Sequence, residues 1–162
     1  MPYKPWKFLF VVFPFLSGCP ANLDTPRYPT TRPTTNDLAG VYHPTAVTKT
    51  LVKDKGGYPE KDMSITLNSD GSLQIANIPD WWRTDGGKPN GGFDSGNGTW
   101  QTVQSQGWWE LEFSFNVTKG FAGAFPASSY FIHTHIAGQR GPYDIVLTIG
   151  DPDEGREMRF TK

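Results

Sequence analysis

One cysteine among 162 residues has nothing in the chain to pair with. An internal disulfide framework and a thiolate metal site are both excluded by that count. Charge is scarce too: charged residues make up 19% of the chain and the formal net charge is −1. There is no basic footprint for nucleic acid and no acidic field for a cationic partner, so no nucleic-acid ligand is expected. Long apolar runs are missing. The longest, Phe8 to Leu16, is interrupted by Pro14 and has about half of the roughly 20 residues that a membrane-crossing helix needs. No window carries a convincing helical stripe, and no serine sits in a Gly-x-Ser-x-Gly elbow, which removes the usual signature of nucleophilic catalysis. The stretch "DGGKPNGGFDSGNG", 85–98, lacks a preceding strand and a following helix, so a phosphate cradle is not supported. It also lacks the ligand spacing of a calcium loop and reads as a surface loop. No enzyme and no dissociable cofactor are expected.

What is present begins at the amino terminus. Lys4 and Lys7 precede the apolar run, which closes on Leu16-Ser17-Gly18-Cys19. This arrangement resembles the lipobox signal peptide of bacterial lipoproteins. The resemblance covers residues 1–19 and implies cleavage before Cys19, a diacylglycerol thioether on its sulfur, and N-acylation (a palmitate-type chain) of the new amine. Several acyl chains on one residue hold a bilayer stably, where one would be marginal. Pro20 stands where an Asp would favour inner-membrane retention in Gram-negative members of that family. The resemblance therefore implies a lipid-anchored cell-envelope protein, at the outer membrane if the envelope has one.

Behind the cysteine, "PANLDTPRYPTTRPTTN" (20–36) is rich in Pro and Thr and has no apolar periodicity. It reads as an extended linker, with an edge strand of the domain as the alternative, so 19–36 is taken as the lipid-anchored tether and 37–162 as the folded domain. Aromatics make up 14% of the chain and glycine is abundant, a composition that leans toward strands and turns. In "MSITLNSDGSLQIANI" Met63, Ile65 and Leu67 share one face, Asp70-Gly71 turns the chain, and Leu73 and Ile75 return. In "WWELEFSFNV" Trp109, Leu111, Phe113, Phe115 and Val117 are expected inside; Trp108, Glu110, Glu112, Ser114 and Asn116 are expected in water. "GTWQTV" forms a hairpin with it through Gln104 to Gly107. "YDIVLTIGDPDEGREMRF" places Tyr143, Ile145, Leu147 and Ile149 before a turn, then Met158 and Phe160; its "GDPDEG" reads as that turn and not as an acidic site. "LAGVY", "VTKTLVK" and "SYFIHTHIA" complete about eight to nine strands. The fold class is all-β, an antiparallel meander that closing into a barrel would free of exposed edges, with a β-sandwich as the alternative.

"DLAGVY", with Leu38, Gly40 and Tyr42 at spacing two, resembles the opening strand of small lipocalin-like barrels. "GTW" at 98–100 and "IGDPDEGREMRF" at 149–160 resemble stretches of uncharacterised bacterial lipoproteins of that shape. The resemblance implies a barrel whose floor is plugged by Leu38 and Tyr42. Two features depart from it: Tyr42 stands where lipocalins usually carry Trp, and no C-terminal helix is evident.

Three groups carry possible chemistry. His133 and His135 lie two apart on one strand, and His43 could join them as a third metal ligand; histidines so spaced are more often half-buried polar residues of a barrel wall. Trp81 and Trp82 follow Pro79-Asp80 ahead of a loop, and Trp108 should be exposed if Trp109 is inside. These three rings are candidate ligand-stacking surfaces, with core packing as the plainer reading. Glu110 and Glu112 share the polar face and read as solvated, not as an acid–base pair. The expected function is a membrane-anchored, non-catalytic barrel that binds a small molecule, glycan or protein at its mouth and the 81–98 loop. The alternatives are a purely structural or interaction lipoprotein and a His-dependent metalloenzyme.

Overall fold

Period-two alternation survives folding and closes on itself. The computed structural model describes residues 28–55, 61–83, 93–115, 130–150 and 155–162. Its strands are β1 (Gly40–Pro44), β2 (Ser64–Leu67), β3 (Ser72–Pro79), β4 (Phe93–Ser105), β5 (Trp108–Phe115), β6 (Tyr130–Ala137), β7 (Asp144–Thr148) and β8 (Glu157–Thr161). Each pairs antiparallel with the next, and β1 closes the ring on β8 through His43↔Thr161 and Pro44↔Phe160. The result is a closed eight-stranded meander, the architecture of a small lipocalin-like barrel, and not a sandwich.

Turn chemistry agrees with the sequence. The β2–β3 turn puts Gly71 at φ 84, and the β4–β5 hairpin turns on Gln106 (φ 48) and Gly107 (φ 93), the paired positive φ values that a two-residue hairpin loop favours. A bulge between Ile75 and Ile78 breaks the β3–β4 register. There Asn77 takes φ 52, its N–H donates to Ser95 Oγ, and its side-chain amide donates to the Asp62 carbonyl.

Inward residues from the whole ring fill the interior. Ile65, Leu67, Leu73, Leu111, Phe113, Phe115, Ile145, Leu147, Met158 and Phe160 belong to one buried cluster. One end of the barrel is shut by a short helix, α1 (Thr35–Leu38). Thr34 caps it by accepting from the Asp37 N–H, while the Asp37 carboxylate accepts from the Thr34 N–H, a reciprocal capping box. Leu38 is fully buried, and the Tyr42 hydroxyl, also buried, donates to its carbonyl at 2.7 Å. Burial, with the Asp144 carboxylate as a lesser cause, pushes the Tyr42 phenol far above its ordinary value. Lys162 at the far end of the sequence lies over the Tyr42 ring and donates to the Asp37 carbonyl.

Three expectations are corrected. "VTKTLVK" is not a strand: Ala46–Asp54 forms a helix, α2, capped by Thr45, whose side chain accepts from the Thr48 N–H. Its buried positions, Thr48 and Val52, are four apart, and nine residues are too few to tell a 3.6 period from a period of two in the sequence. The loop expected over 85–98 ends early, because β4 begins at Phe93 and carries Gly96 and Gly98 within it. Residues 28–36 are not free tether: Pro29 and Pro33 are buried, and Arg32 lies 5.1 Å above the Trp109 ring while its Nε donates to Thr102 Oγ1.

Candidate functional site

The register of β4, β5 and β6 lays their outward side chains out as a grid. One row is Thr99, Ser114 and Phe131; the next is Gln101, Glu112 and His133; the third is Val103, Glu110 and His135. Neighbours within a row stand directly across strands, close enough for side chains to interact.

In the middle row Gln101 Nε2 donates to Glu112 Oε1 at 2.6 Å, and Glu112 Oε2 meets His133 Nε2 at 3.1 Å. Both oxygens of Glu112 are thus held, which fixes the carboxylate on the wall. In the third row Glu110 is not solvated as expected but 5% exposed. Trp108 Nε1 donates to Glu110 Oε1 at 2.9 Å, and His135 Nδ1 lies 3.1 Å from the same oxygen, at ion-pair distance but without hydrogen-bond alignment. His133 Nδ1 is 3.6 Å from Glu110 Oε2.

The cover over Glu110 comes from the segment before α1. The Pro29 carbonyl accepts from the Trp109 N–H, just beyond the Glu110↔His135 pair at which the β5–β6 ladder ends. The Tyr28 carbonyl accepts from Gln139 Nε2. The Tyr28 ring packs 4.7 Å from His135 and 5.7 Å from Trp108, centroid to centroid. Burial raises the Tyr28 phenol above its ordinary value, helped by Glu157 and Glu110 and opposed by Arg159. Residues 28–32 therefore form a strap that runs from the outer wall over the rim to α1. Alternation within β5 gave the correct face for Glu110 and Trp108; their burial comes with the Tyr28 ring, which packs on Trp108 and His135, the two side chains that flank Glu110.

Above the strap the first two rows stay open. Asp70, from the β2–β3 turn, borders them opposite Phe131, and together with Thr99, Gln101, Glu112 and Ser114 these residues line a groove of about 330 Å³. Phe131 is 57% exposed. The turn is pinned to the groove floor, since the Trp100 N–H donates to the Gly71 carbonyl and the Trp100 indole N–H donates to the Asn68 carbonyl. Hydrogen bonds from the Ser72 hydroxyl and N–H hold the Asp70 carboxyl below its ordinary range, so it is ionised at neutral pH.

The residues singled out from the sequence scatter. Trp81 (1% exposed) and Trp82 (6%) sit on a single 3-10 turn, Asp80–Arg83, and pack into the core instead of standing at a loop surface. Trp108 is half-buried beneath Tyr28, and Trp109, expected inside, is half-buried beneath Arg32. His43, exposed on β1, lies against β8, whereas His133 and His135 lie on β6 between β5 and β7, so the three imidazoles are not brought together. Among the described residues no group of three or more His, Cys, Asp and Glu is placed to hold a metal ion. His133 offers its two nitrogens to two different glutamates, so the pairs form a chain and do not converge on a point. Cys19, and the expected inward Val117 and outward Asn116, lie outside the described residues. Sequence reasoning missed Phe131 as a site residue. It lies two residues before His133 on β6, and its place opposite Ser114 follows once the β5–β6 register is known.

No protein-family model, curated protein or solved structure matches this chain.

Proposed function

We propose that this chain is a lipid-anchored envelope lipoprotein whose barrel is a non-catalytic binding module with its site on the outer wall. The observation that carries the reading is the contrast between a barrel interior lined by one continuous apolar core and an open, polar-and-aromatic groove across β4, β5 and β6. A hollow barrel would take a ligand inside; among the described residues the inward side chains are buried in the core and a groove of about 330 Å³ lies on the outer wall. Anchoring is supported by the lipobox resemblance of Leu16 to Cys19, and Pro20 in place of Asp supports the outer membrane where one exists. Because residues 28–32 are already docked on the barrel, the chain between Cys19 and Tyr28 sets how far the barrel can stand from the bilayer. At about 3.3 Å per extended residue that is about 30 Å, shorter than a linker reaching to residue 36 would allow.

The test of anchoring is fractionation of cells making the parent or Cys19→Ser, combined with mass spectrometry of the mature amino terminus. The parent is expected in the membrane fraction with acyl mass on Cys19, and the variant is expected to lose that mass and leave the membrane. An unmodified Cys19 in membrane-bound parent would overturn the anchor.

A further inference from the structure

The geometry points to a neutral saccharide as the ligand of the outer-wall groove, seated on Phe131 and hydrogen-bonded to the grid beside it. This deepens the binding-module reading and rests on it. Three properties of the groove converge on that class.

The first is charge. Among the described residues the lining carries two carboxylates, Asp70 and Glu112, and no Lys or Arg. A phosphate, sulfate or carboxylate ligand would meet like charge and no fixed cation.

The second is the pairing of a flat apolar face with fixed polar groups. Phe131 is the one large aromatic side chain that stands exposed among the described residues, and it is directly across from Ser114. A pyranose has the matching character, with a C–H face to lie on the ring and an equatorial rim of hydroxyls that both donate and accept. The Thr99 and Ser114 hydroxyls face each other across β4 and β5 and have no hydrogen-bond partner among the described residues. Each can donate to, and accept from, a ligand hydroxyl.

The third is preorganisation. Gln101 and His133 hold Glu112 from both sides, and Ser72 holds Asp70 through its hydroxyl and N–H. Acceptors already fixed by the protein lose little freedom when a hydroxyl arrives. The cavity volume of about 330 Å³ lies at the lower end of small-ligand sites, which span about 300–1,000 Å³, and so suits one or two sugar rings better than a long chain. A fatty acyl chain would instead leave the hydroxyls and carboxylates unpaired, with a single ring to bury it.

The test is calorimetric titration of the full-length protein in a sugar-free detergent with cellobiose, maltose and N,N′-diacetylchitobiose, each to about 10 mM, a range that captures millimolar binding. At least one of the three is expected to bind. Phe131→Ala should weaken that binding about tenfold by removing the ring face. Thr99→Arg, which fills the groove from an exposed position, should abolish it. Val41→Ala, on the exposed face of β1, should leave it unchanged, and thermal unfolding of each variant checks that it is folded. Glucosamine, glucose 6-phosphate and decanoate are run in the same cell. If one of these binds and is lost in Thr99→Arg while the neutral sugars do not bind, the neutral-saccharide assignment falls and the binding module stands. If nothing binds, both fall; if sugar binding is untouched by Phe131→Ala and Thr99→Arg, the groove is not the site.

Discussion

At the scale of single residues, the barrel depends on a few positions whose side chain, or lack of one, is dictated by a neighbour far away in sequence. Gly98 is the clearest. A methyl group there would lie 2.1 Å from the Ser114 carbonyl oxygen and 3.2 Å from the Phe115 Cα, which are backbone atoms of a central strand and cannot step aside. Gly98→Ala is therefore expected to lower stability by about 3 kcal/mol, the upper part of the usual overpacking range, read from chemical denaturation. Asp37 gives a pH dependence. The Thr34 hydroxyl first, and the Thr34 N–H second, hold its carboxyl below the ordinary value of 3.8. A depressed carboxylate stabilises the fold in full above its unfolded value, and the contribution is lost as pH falls through the folded value. The thermal midpoint of Asp37→Ala should thus trail the parent at about pH 6, and the gap should narrow at about pH 3. A gap that widens on acidification would contradict the capping box.

At the scale of elements, α2 shows how a short segment is decided by what it docks on. The buried Thr48 hydroxyl donates to the Arg159 carbonyl at 2.9 Å and accepts from the Arg159 N–H at 2.8 Å. A helix side chain thereby satisfies both backbone groups of a β8 residue, next to the Thr45 N–H, which also donates to that carbonyl. Thr48→Val keeps the volume but leaves the Arg159 N–H unpaired and takes one of two donors from its carbonyl, and a loss of about 2 kcal/mol is expected. Thr48→Ser retains the hydroxyl and should lose much less, a contrast that equilibrium unfolding resolves. β5 illustrates the complementary case. Its alternation gave Leu111, Phe113 and Phe115 as core, and all three are. The same alternation placed Glu110 in water, whereas Trp108 and His135, with Tyr28 packed on both, close over it.

At the scale of the whole molecule, closure removes sheet edges, and the strap and α1 finish one end. A protein beginning at residue 37 would lose the Thr34 cap, the Arg32 contacts with Thr102 and Trp109, and the Pro29–Trp109 hydrogen bond. Residues 28–162 are expected to be more stable than 37–162 by about 3 kcal/mol, or roughly 10 °C in thermal midpoint. Equal midpoints for the two proteins would show that the strap contributes nothing to the fold.

The fold was legible because strand alternation and hairpin turns are local. Leu73 and Ile75 face inward, and Gly71 turns the chain, for reasons contained within a few residues. The site was not legible for the opposite reason. Phe131, Ser114 and Thr99 are brought side by side only by the registers of β4 with β5 and β5 with β6, and a register is a pairing between distant segments that no local pattern contains. Periodicity within the chain determined which face of each strand turns from water. Packing between segments decided which outward residues stay open, which are covered by the strap, and that the indoles at 81 and 82 serve the core, because burial depends on every segment that reaches a residue and not on its own alone.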